Sequence, residues 1–234
     1  VHLDHVQPGA DDDLLAQDLA PFSSIMYDAS GFPLDENIRC TAEFVEQNSR
    51  HIVVEGACDQ IVDAEGSRHC ELTSPEVAEQ YLDATGVDFV VANLGTEHRA
   101  SVAKLRYHGN VAREIARRIG PKIVLHGCSS VPAGEVAGLF RDGVCKVNLW
   151  TALERDASPV LLERMVRDAA KVAGNVKATE LHRADLLGKR CDLDSRADLA
   201  RCTTAARQQI VYESMKETVS EYLSLWVQPV EDRP

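Results

Sequence analysis

The feature that most constrains this chain is a rhythm. Short runs rich in β-branched residues, at 24–27 (SIMY), 51–55 (HIVVE), 87–93 (VDFVVAN), 122–126 (KIVLH) and 144–149 (VCKVNL), alternate with longer stretches patterned for amphipathic helix. Residues 34–48 place Asp35 and Glu36 in a first turn and Ile38, Ala42 and Val45 along one face. Ser74 and Pro75 open a second helix as N-cap and first helical residue, and Gly86 stops it. Helices are expected at 110–118 and 133–141, and the acidic run 11–13 is expected to start a short one. Such alternation predicts a parallel sheet with helices packed outside it, either doubly wound or closed as a (β/α)8 barrel.

The strand ends separate these two architectures. Asp4 and His5, Asp28, Glu55, His98, His126 and Asn148 all fall at or just past the end of a run. In a barrel every C-terminal strand end faces one mouth, so residues distant in sequence converge there. A doubly wound sheet would hold its outer strand ends too far apart, and no G-x-G-x-x-G follows any run. The expected fold is therefore α/β, a TIM barrel without its first two strands, carrying a helical C-terminal extension. Residues 1–155 are assigned to six barrel strands and 156–234 to the extension, with long helices at 159–173 and 198–225 around a polar stretch at 180–194.

Composition removes other classes. With 25 basic and 37 acidic residues the net charge is −12, which repels a phosphate backbone, so nucleic acid is not an expected partner. No run approaches the roughly 18 apolar residues of a membrane span, so no membrane role is expected. Seven scattered cysteines without a C-x-x-C pair suit a reducing compartment, and a cytoplasmic protein is expected.

Three of the eight histidines, His5, His98 and His126, sit at strand ends. Neutral imidazoles are common zinc ligands, and three with an open fourth position make a catalytic site. On spacing alone they read equally as satisfied or exposed histidines. Asp4 beside His5 places a carboxylate where it can move a proton.

The motifs HLDH at 2–5, SIMYDASGFPLDENI at 24–38, GVDFVVANLGTEH at 86–98, IVLHGCSSVP at 123–132 and GVCKVNLWT at 143–151 together resemble class II, metal-dependent fructose- and tagatose-bisphosphate aldolases. The resemblance implies a zinc-dependent barrel that makes or cleaves a carbon–carbon bond next to a ketose carbonyl, with a monovalent cation as a further candidate cofactor. It makes His5, His98 and His126 zinc ligands and Asp4 the proton-transfer residue. Asn148 would help hold the enediolate. Asp28 and Glu55 match acidic residues behind the ligands or at an alternative metal position. Gly127, Ser129 and Thr151 match positions that cradle a substrate phosphate. No Schiff-base lysine is required, and Lys146 is expected to point away from Asn148.

The departures are expected to change the substrate. Arg99 replaces a glycine and can clamp a phosphate or carboxylate, Cys128 and Ser130 are expected to reshape the phosphate loop, and Trp150 replaces an acidic residue. The expected partner is a phosphorylated or otherwise anionic sugar other than fructose 1,6-bisphosphate, and the expected assembly is a homodimer. In the family HLDH ends the third strand, so the sequence is expected to be part of a longer chain or record. The alternative is a catalytically degenerate barrel acting as a binding module.

Overall fold

The structure, a computed structural model, describes residues 1–59, 72–96 and 106–227. It divides into two compact units that meet in sequence between Leu149 and Trp150.

The first unit carries six strands, β1 (His2–Val6), β2 (Ser24–Tyr27), β3 (Val53–Ala57), β4 (Phe89–Val91), β5 (Ile123–Leu125) and β6 (Val144–Val147). They form one all-parallel sheet in chain order, β1 to β6. The crossovers carry α1 (Asp12–Leu15), α2 (Leu34–Asn48), α3 (Pro75–Thr85), α4 (Gly109–Ile119) and α5 (Ala133–Val136). Local chemistry sets several of these bounds. Ser74 accepts the Val77 amide as N-cap of α3, and Gly86 ends that helix in the left-handed conformation at φ 69°. The helix expected over 133–141 stops at Val136, after which the chain turns through Gly138 and Gly143 into β6.

Register decides which side chains share a face. Met26 pairs with Glu55, Glu55 with Phe89, Val91 with Val124, and Val124 with Lys146. Met26, Ala57, Val91 and Val124 form a buried cluster on that face, with Phe89 packed against them. The opposite face presents Ile25, Val54, Val90 and Ile123, none of them exposed at all. Each such side chain contributes about 1.5–3 kcal/mol by leaving water. Gly56 lies on that outer face too, where a Cβ would stand 2.6 Å from the Tyr81 hydroxyl of α3.

The sheet is strongly curved. A flat sheet with strands about 4.8 Å apart would separate β1 from β6 by roughly 24 Å. Instead Asn148, one residue past β6, donates to Asp4 of β1 at 2.9 Å. Lys146 of β6 meets Glu55 of β3 at 2.7 Å. The inner face of the arc is thus where side chains from distant strands converge.

The second unit, Trp150–Ser224, is helical: α6 (Thr151–Arg167), α7 (Ala169–Ala173), α8 (Asn175–Arg183), α9 (Leu199–Cys202) and all but the last two residues of α10 (Thr204–Trp226). Ala169, Ala170 and Ala178 make a small core with Leu187, Cys191 and Leu193. Three expectations are corrected here. Pro159 lies inside α6 rather than opening a helix, because the turns on either side carry the helix past one missing ladder bond. The helix expected to continue to Ala173 is interrupted at Asp168, which separates α6 from α7. The last long helix is broken at Thr203, whose extended backbone separates α9, capped by Asp198, from α10. Among the described residues no helix is long and apolar enough to cross a membrane.

The junction of α4 and β6 is a test of packing. Gly143 has φ 95°, and a Cβ there would lie 2.2 Å from that of Ala116. Gly143→Ala is expected to lower unfolding free energy by about 2–4 kcal/mol, through positive-φ strain plus overpacking. A urea melt with the midpoint lowered and slope unchanged would bear this out; an unchanged midpoint would contradict it.

Candidate active site

Adjacent residues of a regular strand point to opposite faces, so Asp4 and His5 should not both reach one site. The sequence escapes this by a bulge. Leu3 pairs with Ile25 but Val6 with Tyr27, so β1 spends one residue more than β2 over the same stretch. His5 absorbs the irregularity with φ 53°, a conformation that costs a non-glycine residue of order 1–3 kcal/mol. As a result the ligand-type atoms of Asp4, His5 and His126 all lie within 4.8 Å of one another. The rings of His5 and His126 meet edge-on, with centroids 4.8 Å apart.

Hydrogen bonds behind these groups fix their chemical state. His5 Nδ1 lies 3.0 Å from Asp28 Oδ2. Asp28 is buried and also accepts from the Ser30 amide and hydroxyl. Burial opposes ionisation of Asp28, but the His5 and Ser30 hydrogen bonds outweigh it and hold the carboxyl at about 2. It is therefore an acceptor, His5 Nδ1 is the donor, and the neutral ring carries its lone pair on Nε2.

Burial likewise pushes His5 toward the neutral form, yet the Asp28 hydrogen bond and the charges of Asp4 and Asp28 raise its pKa overall. Asp4 is opposed by burial too, but the His2 hydrogen bond and the charges of His126, His5 and His2 hold it at about 2. His126 is buried at the end of β5, and its carbonyl accepts from Thr96 Oγ1 at 2.6 Å.

Asn148 links the two sides of the site. Its Nδ2 lies 2.9 Å from Asp4 Oδ1 and 2.9 Å from His126 Nε2, while Lys146 Nζ donates to its Oδ1 at 2.6 Å. The expectation that Lys146 points away from Asn148 is overturned. Residues two apart in a strand share a face, and the pairing of Val124 with Lys146 sets that face toward Glu55. Glu55 is 1% exposed; its Oε1 takes Lys146, and its Oε2 has no hydrogen-bond partner among the described residues. His2, also unforeseen, places Nε2 3.5 Å from Asp4 and Nδ1 2.8 Å from the Ser24 hydroxyl.

The loop after β5 keeps its key glycine. Gly127 has φ 68°, and the residues after it form a 3-10 turn in which Ser130 donates to the Gly127 carbonyl. Cys128 turns its side chain into the core, where burial pushes its thiol up to about 12. Ser129 lies in the same turn. Thr151 begins α6 in the second unit. His98 and Arg99, like His69 and Cys70, lie outside the described residues.

A family model described as fructose-bisphosphate aldolase class-II matches residues 1–225. The chain belongs to this family. It is 31% identical over 163 residues to the D-tagatose-1,6-bisphosphate aldolase subunit GatY of Klebsiella oxytoca, an alignment covering 66% of this chain and 56% of that protein. The chain thus spans little more than half the length of that relative. Among solved structures, fructose-bisphosphate aldolase of Campylobacter jejuni superposes with TM-score 0.71 at 17% identity, covering 96% of this chain and 68% of the other. The YdjI aldolase of Escherichia coli K12 gives 0.60 at 20% identity, covering 91% and 62%. At these identities the two structures speak for the fold.

For a class II aldolase family member the donor set invites a metal test. Two imidazoles with acceptor Nε2 atoms and an ionised carboxylate are chemically fit for zinc. A ligand must be unprotonated, and the raised pKa of His5 makes the proton a competitor. Zinc affinity is therefore expected to climb as pH rises through the His5 pKa. Asp28→Asn removes the charge that helps raise that pKa and leaves only a neutral amide oxygen to accept from His5 Nδ1, so the climb should move to lower pH. NMR titration of His5 in the metal-free chain checks this, and an unmoved midpoint would contradict it.

Proposed function

We propose that this chain forms the active-site part of a zinc-dependent class II aldolase acting on a phosphorylated or otherwise anionic ketose. The observation that carries the proposal is the convergence of Asp4, His5 and His126 within 4.8 Å, in a chain that belongs to this aldolase family. In this reading the six parallel strands are the larger part of a (β/α)8 barrel, and the helices after residue 155 extend it. The working protein is a cytoplasmic homodimer.

His5, His126 and His98 hold the zinc ion, and Asp28 keeps His5 in the tautomer that presents Nε2. When bound, zinc supplies a Lewis acid for the negative charge left beside the ketose carbonyl as the carbon–carbon bond breaks. Asp4, held ionised at about 2, takes the proton from the hydroxyl that becomes the aldehyde, and returns it in the condensing direction. Asn148 Nδ2, already within 2.9 Å of Asp4, directs its donor at the oxygens of the charged fragment. Glu55 offers a buried carboxylate oxygen at the base of the site, suited to an alternative position for a cation. Gly127 and Ser129, with Arg99, bind the substrate phosphate. In this reading the altered preference comes from Arg99 and from the loop at Cys128 and Ser130.

The test is release of an aldehyde from a panel of ketose mono- and bisphosphates. Cleavage of one of them is expected, abolished by a chelator and restored by zinc, with Asp4→Ala lowering kcat by about 10²–10⁴. Turnover that survives both chelation and His126→Ala would overturn the proposal, as would none on any ketose phosphate.

A further inference from the structure

An amide side chain has two ends of almost the same shape and opposite hydrogen-bonding character. Which end of Asn148 faces the site decides whether it donates to or accepts from whatever lies there. Two neighbours constrain it. The Asp4 carboxylate only accepts, and it takes Nδ2 at 2.9 Å. The Lys146 ammonium only donates, and it gives to Oδ1 at 2.6 Å. The Asp4 side chain is 44% exposed, so water competes for its hold, whereas Lys146 is tied at 2.7 Å to Glu55, which is 1% exposed. The firm constraint comes from the lysine.

We propose that Lys146 is a positioning residue: anchored by the buried carboxylate of Glu55, its ammonium pins the carbonyl end of the Asn148 amide and turns the NH2 end toward Asp4 and His126. The inward register of β6 makes this possible, since Lys146 and Asn148 share a face and Glu55 comes from β3 across the arc. The assignment has a consequence one ring away. An NH2 group can only donate, so His126 Nε2, 2.9 Å from it, accepts, and the ring proton of neutral His126 sits on Nδ1. Lys146 thereby sets the tautomer of His126 through Asn148, without touching the ring. It forms no bond to substrate in this account.

The test begins with the chelator-treated chain labelled with ¹⁵N-histidine, in which long-range ¹H–¹⁵N spectra report the protonation of each ring nitrogen. The wild type is expected to show His126 with an unprotonated Nε2. Lys146→Met should replace this by averaged ring shifts, as should Asn148→Ala. If that variant fails to fold because Glu55 is left uncompensated, Glu55→Gln with Lys146→Met removes both charges together and should give the same averaging. His126 shifts unchanged from wild type in these variants would overturn the proposal.

Turnover supplies the second arm, which alone rests on the aldolase reading. Lys146→Met should lower kcat by about 10- to 100-fold with KM little moved. It should add nothing in the Asn148→Ala background, because a residue acting only through Asn148 has nothing left to position. An equal loss in both backgrounds would overturn it. A chain inactive on every ketose phosphate but with the His126 response intact would sink the aldolase reading and leave the role of Lys146 standing.

Discussion

A carboxylate almost sealed from water needs a counter-charge, and the structure meets this requirement for Glu55 by bringing Lys146 to it across the inner face of the sheet. That pairing binds β3 to β6, which are three strands apart in the sheet order. It is compatible only with a sheet rolled into an arc. Once the sheet curves, β1 and β6 come within reach of each other, and the ends of β1, β2, β5 and β6 deliver Asp4 and His5, Asp28, His126 and Asn148 to one place. Curvature, charge burial and site assembly are thus one problem with one solution. Replacing the pair by an apolar pair of similar volume would cost little in stability by general experience, yet it would remove the donor that orients Asn148.

The second device is local. Strand alternation forbids neighbours from sharing a face, and the bulge in β1 with positive φ at His5 lifts that prohibition at the one position where carboxylate and imidazole are both needed. The strain is held by the Asp28 hydrogen bond on one side and by pairing to β2 on the other. The linked titrations set a working window. The low pKa of Asp28 contributes stability above the usual carboxylate range that is lost as pH falls through about 2. The raised pKa of His5 contributes stability below its ordinary 6.5 that is lost as pH rises through the raised value. Fold stability and metal ligation therefore make opposite demands on the His5 proton.

Much of this was legible in the sequence where the cause is local. The helix from Pro75 to Thr85 was readable from Ser74, Pro75 and Gly86, because caps act within one turn. The helix Leu34–Asn48 was readable from its periodicity and acidic start. The strands were found, though β3 starts at Val53 because His51 and Ile52 still belong to the turn closing α2. The strand-end residues were identified from position and from likeness to an aldolase family, and Asp4, His5, His126 and Asn148 do come together. What the chain did not announce depends on pairing between distant strands. The bulge at His5 exists only relative to β2, and the inward face of Lys146 follows from its register against Val124. The lysine was within reach of strand alternation alone, since positions 146 and 148 share a face. Pro159 misled because a proline reads locally as a boundary while a 17-residue helix can absorb it.

The central claim is that the Nε2 atoms of His5 and His126 hold a zinc ion beside Asp4, the Asn148 amide giving up its hydrogen bond to His126 Nε2 when the metal binds. Diffraction at the zinc absorption edge from crystals equilibrated with the metal tests it most directly. The account predicts an anomalous peak about 2.0–2.1 Å from the Nε2 atoms of both His5 and His126. Zinc bound elsewhere on the chain, or no peak between these two rings at saturating metal, would contradict it.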